Sequence, residues 1–247
     1  MVITLLLKTG EGKEICDDSI LINDQIFSSD KLVACREYRP MYIAIADGVG
    51  GNAGGHDASD FLLRYIKRNK ELIYNREEIL NFLYTANKEL IAFASKTPDK
   101  TSMATTFTGI FLLNDHIYVA HVGNTRLYVF QGNYLKQITV DHTTYKWLMM
   151  HGNYQEAEEC NKSEIISCFG GGSNDLLRLL TVESPFEDYK PEAFVLTSDG
   201  IHDYVDIDTF EQIFAEDTTM EARLEKLWKT AKERGSTDDC SIIVIEK

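Results

Sequence analysis

Apolar runs of strand length recur along the chain at residues 2–7, 41–46, 107–113, 117–122, 126–130, 194–197 and 241–245. Several are rich in β-branched or aromatic side chains, which suit a buried pleated surface. The Gly132-Asn133 step between Phe130 and Tyr134 predicts a hairpin turn. Between the second and third runs the period lengthens. Ala58, Phe61, Leu62, Tyr65 and Ile66 share one helical face, and Ile79, Phe82, Leu83, Ala86 and Leu90 share another. Asp57 and Ser59 are available as caps for the first of these helices, and the acidic Glu77-Glu78 pair suits the positive end of the second. A later helical pair is predicted over residues 207–214 and through Met220, Leu224, Leu227, Trp228 and Ala231. Residues 145–163 are polar and weakly periodic, and predict a mobile insertion or a short irregular helix.

Helices that arrive in pairs between groups of strands do not build a doubly wound parallel sheet. They imply an α+β fold, a central β-sandwich that is mainly antiparallel with helix pairs packed outside. The length of 247 residues fits a single globular domain.

The net charge of -14 makes nucleic acid and anionic membranes poor partners, since no basic stripe interrupts the acidic surface. The opening apolar run is too short to cross a bilayer and has neither a charged leader nor a small-residue cleavage site. Cys16, Cys35, Cys160, Cys168 and Cys240 are odd in number and scattered, without a C-x-x-C pair, so they read as reduced cytosolic thiols.

Part of the acidic excess is patterned. Asp47 and Asp199 each close an apolar strand and precede a glycine, whereas Asp17-Asp18 and Asp238-Asp239 each precede a strand. In an antiparallel sheet the end of one strand lies beside the start of its neighbour, so all these positions can share one rim. Carboxylates gathered there repel each other unless cations neutralise them. An all-oxygen donor set selects hard ions such as Mg²⁺ or Mn²⁺. Two such ions about 3.5–4 Å apart clamp a phosphate and activate water, which is hydrolytic phosphoryl transfer without a covalent enzyme intermediate. Singly, an Asp-Gly step is an ordinary turn and an acidic pair an ordinary solvated loop. Only their joint occurrence at compatible strand ends carries the reading.

These residues, in this order, resemble the type 2C metal-dependent Ser/Thr protein phosphatases, especially the compact bacterial kind. Ala46-Asp47-Gly48-Val49-Gly50-Gly51 followed by Ala58-Ser59, then Met103-Ala104-Thr105-Thr106, carry the likeness. So do the run from Tyr118 to Gly123, Asp141-His142-Thr143, the run from Leu196 to Asp203, and Gly235-Ser236-Thr237-Asp238. The resemblance implies one catalytic domain over 1–247, a four-layer αββα sandwich of two sheets, acting as a cytoplasmic monomer. It also implies phosphoserine and phosphothreonine proteins as substrates, with a Ser/Thr kinase as opposing partner. Carried over by position, Asp47 bridges two cations, Asp17 and the Gly48 carbonyl complete one shell, Asp199 and Asp238 hold the other, and Asp18 acts through water. Lys13 stands where the family has a phosphate-attracting arginine. It brings a point charge without the guanidinium fork. Asn124 replaces a carboxylate tied to a third, weaker cation, and Asp239 replaces an asparagine.

Two other readings compete. Gly48 to Ala53 can pass for a dinucleotide-binding turn, but a second helix follows where that motif needs a strand. A catalytically impaired phosphatase fold serving as a binding or regulatory module would account for Lys13 and Asn124. The histidines share no ligand spacing and read as surface or core residues; His202, nearest the rim, is not expected to donate a proton. Trp147, Met149 and Met150 admit two roles, a small apolar substrate-facing patch and core packing, of which core packing is expected.

Overall fold

In the computed structural model, which describes residues 1–38, 41–49, 54–113, 116–184 and 191–246, the first apolar run forms strand β1 (Val2–Lys8). Alternate side chains of a strand point to opposite faces. Ile3, Leu5 and Leu7 enter a core between two sheets, while Leu6 enters a second core beneath the C-terminal helices. Burial on both faces is why this run and its partners read as continuous apolar stretches.

The chain continues through β2 (Asp18–Ile22), β3 (Gln25–Phe27), β4 (Lys31–Arg36) and β5 (Met41–Asp47), then helices α1 (Gly55–Asn69) and α2 (Arg76–Ala94). Next come β6 (Ala104–Thr105), β7 (Phe107–Leu113), β8 (His116–Val122), β9 (Arg126–Gln131) and β10 (Tyr134–Gln137). Helices α3 (Thr144–Met150) and α4 (Tyr154–Glu159) precede β11 (Phe169–Gly170), β12 (Thr181–Glu183) and β13 (Ala193–Thr197). Helices α5 (Asp199–His202), α6 (Ile207–Phe214) and α7 (Met220–Glu233) lead into β14 (Cys240–Glu246).

One sheet has the order β10-β9-β13-β14-β1-β4 and the other β12-β8-β7-β5-β2-β3, with β6 and β11 forming a two-stranded ribbon. Among the described residues every strand pairing is antiparallel. Helices α1 and α2 pack on the outer face of the second sheet through Leu62, Ile66, Leu83 and Leu90. Helices α6 and α7 cover the outer face of the first through Phe210, Phe214, Leu224 and Leu227. The result is the four-layer αββα, α+β arrangement, and the Gly132-Asn133 hairpin is present with Gln131 paired to Tyr134.

Several local expectations are corrected. Asp57 and Ser59 do not cap α1. That helix begins after Gly54, whose φ of 94° is a left-handed start with no side-chain cap. Asp57 pairs with Lys100, and Ser59 is buried inside the helix. Residues 145–163 contain two short helices, the first capped by Thr143, whose Oγ1 accepts the Lys146 N–H. Trp147 and Met150 are exposed and do not pack in the core. Strand β5 runs antiparallel to both β2 and β7, which excludes the parallel unit a dinucleotide turn requires. Residues 50–53 of that motif lie outside the described residues.

Candidate metal centre

Asp18 and Asp47 are register partners on β2 and β5 of one sheet. Asp199, just past β13, and Asp238, just before β14, come from neighbouring strands of the other. The acids therefore occupy the facing edges of two stacked sheets and not a single edge. A 2.6 Å hydrogen bond from the Ser241 hydroxyl to the Asp18 carboxyl ties the two edges together. The backbone of Asp47 is fixed by the Thr105-Thr106 pair. Its carbonyl accepts the Thr106 N–H at 2.8 Å and the Thr105 hydroxyl at 2.9 Å, and its N–H donates to Thr106 Oγ1.

The glycine after each aspartate is there for close approach. A Cβ on Gly48 would strike the backbone of Gly55 at the start of α1, and one on Gly200 would strike the Asp239 carbonyl. Neither glycine has a positive φ among the described residues. The Asp-Gly pairs are thus contact points that draw α1 and α5 onto the rim, and not reverse turns.

Burial and mutual repulsion work on these carboxyls together. Asp18 is buried, and burial followed by the charge of Asp239 pushes its pKa up to about 8, despite the hydrogen bonds from Ser241 and Ser198. Burial, then Asp199 and Asp18, hold Asp47 well above the usual carboxylate range. Burial and Asp238 raise Asp199 to about 6, opposed by hydrogen bonds with Asn124 and Asp47. Such a set favours protons or cations.

The loop between β1 and β2 brings the remaining groups. Lys13 Nζ lies 2.8 Å from Asp238 Oδ1, 2.8 Å from Asp239 Oδ2 and 3.4 Å from Asp17 Oδ2. Burial disfavours its charge, but the bonds to Asp238 and Asp239 prevail and raise its pKa. Asp17 Oδ1 accepts the His56 N–H at 2.9 Å, and its carbonyl accepts the Gly48 N–H and the Ser59 hydroxyl. His56, Ser59 and Ser241 thus shape the site; of these only Ser59 belonged to a motif quoted for the family likeness. The signal of Ser241 is only a small polar residue inside an otherwise apolar strand.

Asn124 Nδ2 donates to Asp199 at 2.9 Å, and its buried Oδ1 has no hydrogen-bond partner. His202 is buried as expected of a core residue, with Nδ1 bonding Thr197 at 2.7 Å and its pKa lowered by burial, but its Nε2 has no hydrogen-bond partner and the residue is not the satisfied one expected. A cleft of about 360 Å³ opens beside Asn124 and Asp203, lined also by Arg126, Asp141, Lys146 and Lys162. Arg126 is tied to Asp141 by hydrogen bonds as short as 2.6 Å.

The donors at this rim are hard oxygens, and the crowded carboxyls are raised by burial and by one another, so the residues fit hard divalent cations. Among the described residues no group of three or more acidic, histidine or cysteine side chains is spaced to hold a cation as it stands; the carboxylates of Asp17, Asp238 and Asp239 gather on the Lys13 ammonium instead. Lys13 Nζ stands between Asp17 and Asp238.

Comparison with known proteins bears on the family and the fold. The protein phosphatase 2C family profile matches residues 20–239. The serine/threonine phosphatase Stp of Listeria monocytogenes is 25% identical over 228 residues, covering 86% of each chain. The serine/threonine protein phosphatase PstP of Mycobacterium tuberculosis is 24% identical over 83% of this chain and 40% of its own. The solved serine/threonine phosphatase of S. agalactiae superposes with a TM-score of 0.78 over 100% of both chains at 20% identity, which is a likeness of fold.

Proposed function

Because the chain belongs to the protein phosphatase 2C family, we propose that it removes phosphate from phosphoserine and phosphothreonine in proteins by metal-dependent hydrolysis. The observation that carries this reading is that Asp47, in register with Asp18 on one sheet, also feels the charges of Asp199 and Asp238 from the other. There, burial and repulsion leave carboxyls in need of positive charge.

In this reading Asp47, Asp17 and the Gly48 carbonyl, with Asp199 and Asp238, would hold the cations, and Asp18 would support them through water. Mn²⁺ or Mg²⁺ suits these donors, and when bound supplies charge neutralisation for the phosphate and a lowered pKa for water. Lys13 offers its ammonium to a phosphoryl oxygen as a point charge. Asn124 orients Asp199 from the side, bringing no charge of its own, so two cations are expected there and not three. The cleft beside Asp203, with Lys146 and Lys162 on its wall, receives the peptide around the phosphorylated residue.

All of these groups come from one chain and one domain, so a monomer is sufficient. Among the described residues no helix is long and apolar enough to cross a membrane. The five cysteines are free, which suits a reducing cytoplasm where a Ser/Thr kinase makes the substrate. The test is hydrolysis of an aryl phosphate and of phosphoserine and phosphothreonine peptides with Mn²⁺ or Mg²⁺. Turnover should vanish with chelator and in Asp47→Asn. A folded protein that binds Mn²⁺ but turns over none of these substrates would show the site to be a binding module.

A further inference from the structure

Asp239, outside the set assigned above to cations, is buried at the foot of β14 with its carboxylate fully engaged. Oδ1 accepts the Gly10 N–H at 2.7 Å. Oδ2 accepts the Asp17 N–H and the Lys13 ammonium, both at 2.8 Å. All three donors belong to the loop between β1 and β2, which carries Lys13, Asp17 and the approach to Asp18. Gly10 seals the same contact, since a Cβ there would come within 2.6 Å of the Thr237 carbonyl and 3.0 Å of the Asp239 nitrogen.

Only a carboxylate satisfies this arrangement. The NH₂ of an asparagine would face the Gly10 N–H in one orientation, and the Asp17 N–H with the Lys13 ammonium in the other. Either way a donor meets a donor in a buried place. A lysine side chain is also long and flexible, and keeps one position only when something fixed holds it.

The geometry points to Asp239 as a positioning residue, which anchors the loop over residues 9–17 and holds the Lys13 ammonium at the rim where it meets a phosphoryl oxygen. The inference rests on the phosphatase reading above. Asp239 acts through Lys13 and the loop backbone.

The experiment compares wild type, Asp239→Asn, Lys13→Gln and the double variant on an aryl phosphate at saturating Mn²⁺, with inorganic phosphate as competitor. Each single change should raise KM and the phosphate inhibition constant about tenfold, the loss of one charge-assisted hydrogen bond made in ground and transition states alike, with kcat within about threefold. The double variant should match the weaker single variant, because the second change removes an interaction already lost. A KM and phosphate constant unmoved by Asp239→Asn, or single effects that multiply in the double variant, would overturn the proposal. A merely structural role would lower the melting temperature and the active fraction, hence kcat, and leave KM in place.

Should Asp239→Asn fail to fold, amide hydrogen exchange of the wild type decides. The Gly10 and Asp17 N–H groups, which donate to the Asp239 carboxylate, should exchange at least about tenfold more slowly than the exposed Gly12 N–H of the same loop. Equal exchange would overturn the proposal. Absence of wild-type turnover with Mn²⁺ would instead count against the phosphatase reading, and the exchange comparison would still judge the anchor.

Discussion

Asp18 on β2 and Asp47 on β5 stand directly opposite each other, two carboxyls in register at the ends of adjacent strands. Like charges so placed destabilise a sheet. Burial raises Asp18 to about 8 and Asp199 to about 6, and it lifts Asp47 too. A carboxyl raised in the folded state favours folding while protonated, and that contribution is lost as pH climbs from the unfolded value of about 4 through the folded value. Histidines act in the opposite sense. Burial lowers His121 to about 3 and His142 to about 4, so their contribution fades as pH falls below the unfolded value of about 6.5. With chelator the melting temperature should therefore decline from about pH 6 towards pH 8, where the histidines no longer offset the carboxyls. Mn²⁺ should remove most of the alkaline decline. Calorimetric melts at several pH values with chelator or Mn²⁺ check this, and a chelated profile that is flat from pH 6 to 8 contradicts it.

The amide of Asn124 supplies Asp199 with a hydrogen bond that a carboxylate cannot give. Asn124→Asp should destabilise the chelated protein by about 1–3 kcal/mol, because a donor to a charged group is replaced by a like charge. Excess Mn²⁺ should restore most of the loss. Paired melts with chelator and with Mn²⁺ give the answer, and equal loss in both conditions would mean that the change acts on packing.

Gly200 touches Asp239 so closely that a methyl group has no room against the backbone. Gly200→Ala should lower stability by about 1–3 kcal/mol or more, the usual penalty for overpacking. It should also depress turnover, since Asp199 is the preceding residue. Urea unfolding together with an aryl phosphate assay checks both effects. An alanine variant of wild-type stability would mean that α5 can shift away from β14 freely.

The sandwich was legible because most of its strands are buried on both faces and leave unbroken apolar runs, as in β7. Strands β3 and β4 were not read, because their residues are largely exposed or half-exposed and blend with loops. The start of α1 misled because its cap is a left-handed glycine, which carries no side-chain signal, while Asp57 and Ser59 looked like caps. Asp47 and Asp199 announced themselves by position at strand ends. Asp239 did not, since a second acid after Asp238 looks like any solvated loop until Gly10, Lys13 and Asp17 are seen to converge on it. Sequence order places residues at a rim, but the partner of each side chain is set by which sheet edges face each other.

Asp47 makes the conflict between stability and chemistry measurable. Its carboxyl is opposed by Asp199, Asp18, Asp238 and Asp239, so neutralising it relieves repulsion in the cation-free protein. Asp47→Asn should therefore melt higher than wild type in chelator at pH 8. The same change should reduce Mn²⁺-dependent turnover by at least about a thousandfold, since cation stabilisation of the transition state is worth several kcal/mol. A carboxylate kept only for structure would give the reverse pattern, with lower stability and proportionate loss of activity. Melting in chelator and kcat in saturating Mn²⁺, measured on one preparation, separate the two, and a variant that is both less stable and still active would remove Asp47 from the chemistry.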